Sequence, residues 1–137
     1  MKRRARNNRE HDMQCAIFDW AKLYENQYPA LHWIYAIPNA GRRSKAEGAR
    51  MRREGLRAGV VDICLPVPRG GFHGLYVECK IKPNRLTADQ AAFLKAMEIL
   101  GHYTSVWWTF DQAIAELGAY IRGSIRRKSE KVVYDGF

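Results

Sequence analysis

Residues 59–81 read GVVDICLPVPRGGFHGLYVECKI, and this stretch decides the fold. VVDICL, residues 60–65, is an apolar run ended by Pro66 and Pro68, which cannot donate to a sheet ladder, and it predicts a strand. GLYVECKI, residues 74–81, predicts a second strand, and PRGG at 68–71 predicts the turn between them. The two are expected to pair antiparallel across a loose hairpin loop. Because strand side chains alternate, Leu75, Val77, Cys79 and Ile81 point one way while Tyr76, Glu78 and Lys80 point the other. One face is then core, and the other is available for a site.

Asp62 sits inside the first apolar run, where a charge is costly unless it is paired or binds a metal. Glu78 occupies the centre of the next strand with Lys80 on its face. Carboxylates from two adjacent strands can converge on one divalent cation, and hard cations such as magnesium prefer oxygen ligands. Such a centre suits phosphodiester hydrolysis: the metal orients or activates water and neutralises charge growing on the phosphate. Lys80 could stabilise that charge or help position and deprotonate the water. The structural alternatives are an aspartate paired with a buried arginine and a Glu78–Lys80 pair on a solvated strand.

Upstream, residues 1–9 hold Lys2, Arg3, Arg4, Arg6 and Arg9 and almost nothing apolar, so a flexible basic arm is expected. From Glu10 onward, Met13, Ile17, Ala21 and Tyr24, broadened by Phe18 and Trp20, predict an amphipathic helix of about four turns. Glu10 and Gln14 lie four apart and share a direction. Glu10 could give a third carboxylate oriented by Gln14, or simply be an acidic residue favourable to the helix dipole. Pro29 closes the helix region, LHWIYAI (31–37) reads as a short strand and PNAG (38–41) as a turn. Asn39 either makes that turn or reaches the site.

A basic helix follows, with Ser44 and Glu47 as a capping box and Gly55 as its stop. Arg42, Arg43, Lys45, Arg50, Arg52, Arg53 and Arg57, together with Lys82, form the candidate nucleic-acid-binding set. The alternative is a solvated helix face. Downstream, Pro83 and Asn84 break the hairpin's second strand. Thr87 and Gln90 make another capping box for a helix to Leu100, expected to pack Phe93, Met97 and Leu100 on the sheet. Gln90 is thereby explained structurally, yet it also falls near the site. YTSVWWT (103–109) predicts a strand, and Ala113, Ile114, Leu117 and Tyr120 mark a last helix near residues 111–121. Adjacent Trp107 and Trp108 face opposite sides, so one is core and the other a minor candidate for base stacking. His11, His32, His73 and His102 show no ligand spacing and read as structural. The tail 122–137 is basic, and VVY (132–134) is a possible edge or interface strand.

Elements in this order predict an α/β domain over residues 10–121, a mixed four-stranded sheet flanked by helices. With 23 Lys plus Arg against 14 Asp plus Glu, the chain carries +9, which attracts polyanions and says nothing of fold. Cys15, Cys64 and Cys79 are odd in number and form no zinc knuckle or Cys-x-x-Cys, so a reducing cytoplasm is the expected compartment. No run approaches the roughly 18 apolar residues of a membrane span, and a membrane role is not expected. No Gly-rich phosphate loop is present, so no nucleotide cofactor is expected.

The run GVVDICLPV, then YVECK, then LTADQ resembles the PD-(D/E)XK nuclease superfamily, specifically its VRR-NUC (virus-type replication-repair nuclease) branch, over roughly Glu10 to Leu117. The AIPNAGRRS segment and Gly101 fall in the same order. Each motif is weak alone; their order and spacing together are specific. The resemblance implies a restriction-endonuclease-like core and a Mg2+- or Mn2+-dependent nuclease. It implies Asp62 and Glu78 as ligands, the Cys79 carbonyl as a further one, Glu10 as an additional acidic ligand, Lys80 as catalytic lysine and Gln90 contacting phosphate or water. It further implies a homodimer acting on branched or junction DNA in a bacterial or phage-infected cell. Val61 departs from the pattern by standing where many relatives have proline. From the residues alone, a ribonuclease on the same fold stays open, as does a non-catalytic DNA-binding or structural subunit of a replication or recombination assembly.

Overall fold

Helix α1 (Lys2–Tyr24) is anchored by Met13, Ile17 and Ala21, which recur every fourth residue and are all buried. The computed structural model describes residues 2–38 and 44–128, with 2–7 as backbone only. Helix α1 starts at Lys2, ahead of the expected start at Glu10 and within the stretch expected as a flexible arm. Apolar periodicity detects only the turns that pack, whereas Ala, Lys and Arg extend an existing helix at little cost.

Pro29 opens a 3-10 helix, Pro29–Trp33, since its fixed φ suits a first helical position. The strand expected over 31–37 is therefore cut to β1 (Tyr35–Ala36), and Leu31 drops into the core from the 3-10 turn. Helix α2 (Lys45–Arg53) begins at Ser44, whose Oγ accepts the Glu47 N–H at 3.2 Å, and Gly55 follows it at φ 108°.

Strand β2 (Ile63–Leu65) is shorter than the apolar run and leaves Asp62 just before it. The Asp62 carbonyl still accepts the Ile37 N–H at 2.7 Å, so the aspartate's backbone remains fixed to the β1 side. Strand β3 (Leu75–Cys79) pairs antiparallel with β2, with Ile63 opposite Val77. Helix α3 (Ala88–Ile99) crosses over to β4 (Tyr103–Trp107), which runs parallel to β3, and α4 (Phe110–Ile121) completes the domain. The sheet order is β1-β2-β3-β4, antiparallel at its first two seams and parallel at the third.

Ile63, Leu65, Leu75, Val77, Cys79 and Trp107 form one core with α1 and the α4 residues Ala113, Leu117 and Tyr120. The opposite face is covered by α3, where the Tyr76 ring meets Phe93 edge-on at 5.3 Å. Thus the site face is not open, and Glu78 upon it is only 3% exposed. Leu94, rather than the expected Phe93, Met97 and Leu100, is the buried residue of α3; those three are half-buried. Gly59 lets the chain entering β2 pass against the first turn of α3. At its φ of 80°, a Cβ would collide with the Asp89 side chain. Among the described residues no helix is long and apolar enough to cross a membrane.

Candidate functional site

The β2–β3 register places Asp62 across from Glu78, one step beyond the Ile63–Val77 pair. The two acids are cross-linked through backbone: the Asp62 N–H donates to Glu78 Oε2 at 3.1 Å, and the Cys79 N–H donates to Asp62 Oδ2 at 2.9 Å. Lys80, two residues beyond Glu78 on the same face, places Nζ 3.5 Å from Glu78 Oε1. The sequence-predicted trio is therefore assembled at one end of the sheet.

Gln90 joins it. Its Nε2 donates to Glu78 Oε1 at 2.9 Å, while its Oε1 accepts the Thr87 N–H at 3.0 Å and its own N–H donates to Thr87 Oγ1 at 3.1 Å. One side chain thus both caps α3 and hydrogen-bonds Glu78.

Burial raises the Glu78 carboxyl to about 7, the facing Asp62 carboxylate adds to the rise, and Lys80 opposes it. Burial likewise raises Asp62, against the Cys79 N–H bond, the Glu78 hydrogen bond and the Lys80 charge. One buried and one half-buried carboxylate with one ammonium leave an uncompensated negative charge, which a proton or a cation would offset. The donor set fits a hard divalent cation: Asp62 Oδ1 accepts no hydrogen bond from the described residues, which leaves it a lone-pair donor with respect to them. The Lys80 N–H bonds the Trp107 carbonyl at 3.0 Å on the β4 side, so by strand alternation the Cys79 backbone groups face Asp62. The Cys79 thiol lies in the core, and burial, then the charges of Asp62 and Glu78, push it far up, which leaves its carbonyl as the oxygen donor.

Glu10 arrives at the same edge, its charge reaching Asp62, with one carboxylate oxygen engaged by the chain past Lys80. Its Oε1 accepts the Ile81 N–H at 3.2 Å and Asn84 Nδ2 at 2.6 Å. Gln14 is half-buried and makes no hydrogen bond to these groups among the described residues. Among the described residues no group of three or more His, Cys, Asp or Glu side chains is arranged to hold a metal ion, so the convergent carboxylates are two.

Lys45, Arg50, Arg52, Arg53 and Arg57 are exposed, and Arg50 pairs with Glu54 at 3.0 Å. No ion pair joins them to Asp62 or Glu78 among the described residues. Asn39, Arg42 and Arg43, and the possible strand 132–134, lie outside the described residues. Lys82 is exposed two residues past Lys80. Sequence reasoning missed Asn84, taken only as a strand breaker, and the hydrogen-bonded group of Tyr103, Ser105 and Gln112 on Glu116. No local pattern announces either.

No family model matches this chain, and no curated protein matches it. A solved structure described as a "VRR_NUC domain protein" is similar to it at a TM-score of 0.70 and 24% identity, covering 83% of this chain and 88% of that one. The chain thus has the restriction-endonuclease-like α/β fold of PD-(D/E)XK proteins, a mixed four-stranded sheet flanked by helices.

Proposed function

We propose that this protein is a Mg2+- or Mn2+-dependent endonuclease of the VRR-NUC type that hydrolyses DNA phosphodiester bonds. One observation carries the reading: a backbone-locked pair of carboxylates, buried Glu78 and half-buried Asp62, with a lysine on the same edge. Asp62, Glu78 and the Cys79 carbonyl would hold the cation, which when bound supplies positive charge at the phosphate and makes water more acidic.

The remaining work belongs to the chain. Lys80, 3.5 Å from Glu78, stabilises charge growing on the phosphate and positions the water. Gln90 keeps Glu78 turned toward Asp62. Glu10 holds the segment after Lys80 through Ile81 and Asn84, which fixes where the lysine starts from. The α2 cations and Lys82 attract the DNA backbone without reading sequence, which suits selection by DNA structure, such as a branch or junction, over selection by sequence. A homodimer in the cytoplasm of a bacterial or phage-infected cell completes the proposal. A non-catalytic DNA-binding or structural subunit is the second reading, favoured by the presence of two rather than three converging acidic side chains among the described residues.

The test is a cleavage time course on labelled duplex, single-stranded, flap and four-way-junction DNA, with manganese or with EDTA, for wild type and Lys80→Ala. Manganese-dependent products lost in Lys80→Ala support the nuclease. Intact DNA in every lane, with binding retained, would leave the second reading.

A further inference from the structure

A cavity of about 480 Å³ opens at the chain just past Lys80, lined by Arg9, Ile81, Lys82, Trp108, Thr109 and Gln112. Its size falls within the range of ordinary ligand sites. It joins the α1 turn that carries Glu10, the chain just past Lys80, and the β4–α4 junction. Ile81 and Lys82 follow Lys80 directly in the chain, and the Ile81 N–H is held by Glu10, so the cavity begins one residue past the lysine of the candidate site.

The main chain at Trp108 is pinned: its backbone N–H donates to Gln112 Oε1 at 2.9 Å, and Gln112 Nε2 donates to the Val106 carbonyl at 3.0 Å and to Glu116 Oε2 at 2.7 Å. Thr109 Oγ1 is occupied by the Gln112 N–H at 3.1 Å. Whereas Trp107 is fully buried, Trp108 is half-buried and stacks on no other ring among the described residues. Arg9 and Lys82 are exposed, and neither is in an ion pair among the described residues. An indole on a pinned main chain and two cations without an ion pair among the described residues, all on one cavity, match a flat π-system joined to an anion. A bare phosphate would have no use for the indole, and a paired base inside a duplex has no free face to give it.

We infer that this cavity seats one unpaired nucleotide adjoining the scissile phosphate, with its base against Trp108 and its phosphate between Arg9 and Lys82. The inference rests on the nuclease reading and deepens it: the substrate has an unstacked nucleotide at the cut, as at a branch point or single-strand junction.

The test is binding in EDTA, which needs no cleavage. A single-stranded oligodeoxynucleotide containing 2-aminopurine, its abasic counterpart and a blunt duplex are titrated with wild type, Trp108→Ala, Trp108→Phe and an Arg9→Ala/Lys82→Ala double variant. Wild type should bind the base-bearing strand about tenfold tighter than the abasic one. Trp108→Ala should lose about that factor on the single strand only, and Trp108→Phe should recover most of it. Equal binding of abasic and base-bearing strands by wild type would overturn the inference, and so would equal losses on single strand and duplex. The wild-type comparison decides the matter even if Trp108→Ala fails to fold. Stacking without any cleavage would sink the nuclease reading alone; cleavage without base-dependent binding would sink this subsite alone.

Discussion

The Asp62 N–H donates to Glu78 Oε2 at 3.1 Å, so the acid on β3 is oriented by the backbone of the residue whose carboxylate it faces. The reverse bond, from the Cys79 N–H to Asp62 Oδ2 at 2.9 Å, closes the arrangement. Two like charges are thereby held together by the sheet itself. Backbone bonds to carboxylates are charge-assisted and strong, but they do not remove the repulsion between the acids. The geometry is preorganised at an electrostatic cost, which a bound cation would relieve.

That cost sets a pH dependence of stability without metal. Folding favours the protonated Glu78, whose carboxyl rises from 4.5 to about 7. Its contribution is full below the unfolded value and is lost as pH rises through the folded one. In EDTA, stability should therefore fall between pH 5 and pH 8 by on the order of 2 kcal/mol. Urea melts of wild type and Glu78→Gln would check this: the glutamine variant should flatten the profile and be the more stable at pH 8. The same slope in both proteins would mean that Glu78 is not its source.

Gln90 serves two structures, and two substitutions separate them. Thr87→Ala removes the cap hydroxyl and should cost about 1 kcal/mol while leaving the Gln90–Glu78 bond able to form. Gln90→Ala keeps the backbone bond to the Thr87 hydroxyl but removes the side-chain bonds to the Thr87 N–H and to Glu78, and should cost about 2 kcal/mol and slow cleavage more than Thr87→Ala does. Chemical denaturation and single-turnover rates measured together would expose a merely structural glutamine as equal effects on rate.

Gly59→Ala should destabilise the protein by on the order of 2 kcal/mol, through positive φ and collision with Asp89. Gly55, also at positive φ but with open space around it, gives a control in which only backbone strain is added. Comparable thermal shifts for Gly55→Ala and Gly59→Ala would show that the close approach to α3 is unimportant.

Replacing Arg52 and Arg53 with alanine should weaken DNA binding about equally for all sequences and reduce the salt slope by roughly one per lost phosphate contact. Binding isotherms at several salt concentrations measure this. An unchanged slope would make these arginines a solvated face.

The parts of the fold legible in the sequence are those set by local chemistry. Thr87 and Gln90 announce a cap because both bonds span three residues, and the β2–β3 hairpin follows from its apolar runs and the turn between them. The aromatic and β-branched LHWIYAI has strand propensity, but Pro29 and the burial of Leu31 impose a 3-10 turn. For the candidate site, Asp62, Glu78 and Lys80 are readable because a two-residue alternation and one hairpin bring them together. The Glu10–Asn84 bond joins α1 to the chain beyond β3, and Trp108 meets Arg9 across a cavity; such distant contacts exist only once the domain has closed.

The central claim is that the Asp62–Glu78 seam binds a divalent cation, and manganese titration of the DNA-free protein, followed by electron paramagnetic resonance, tests it most directly. Wild type should bind manganese, while Asp62→Asn and Glu78→Gln, folded by circular dichroism, should each lose that binding. Undiminished manganese binding in both variants would contradict the account.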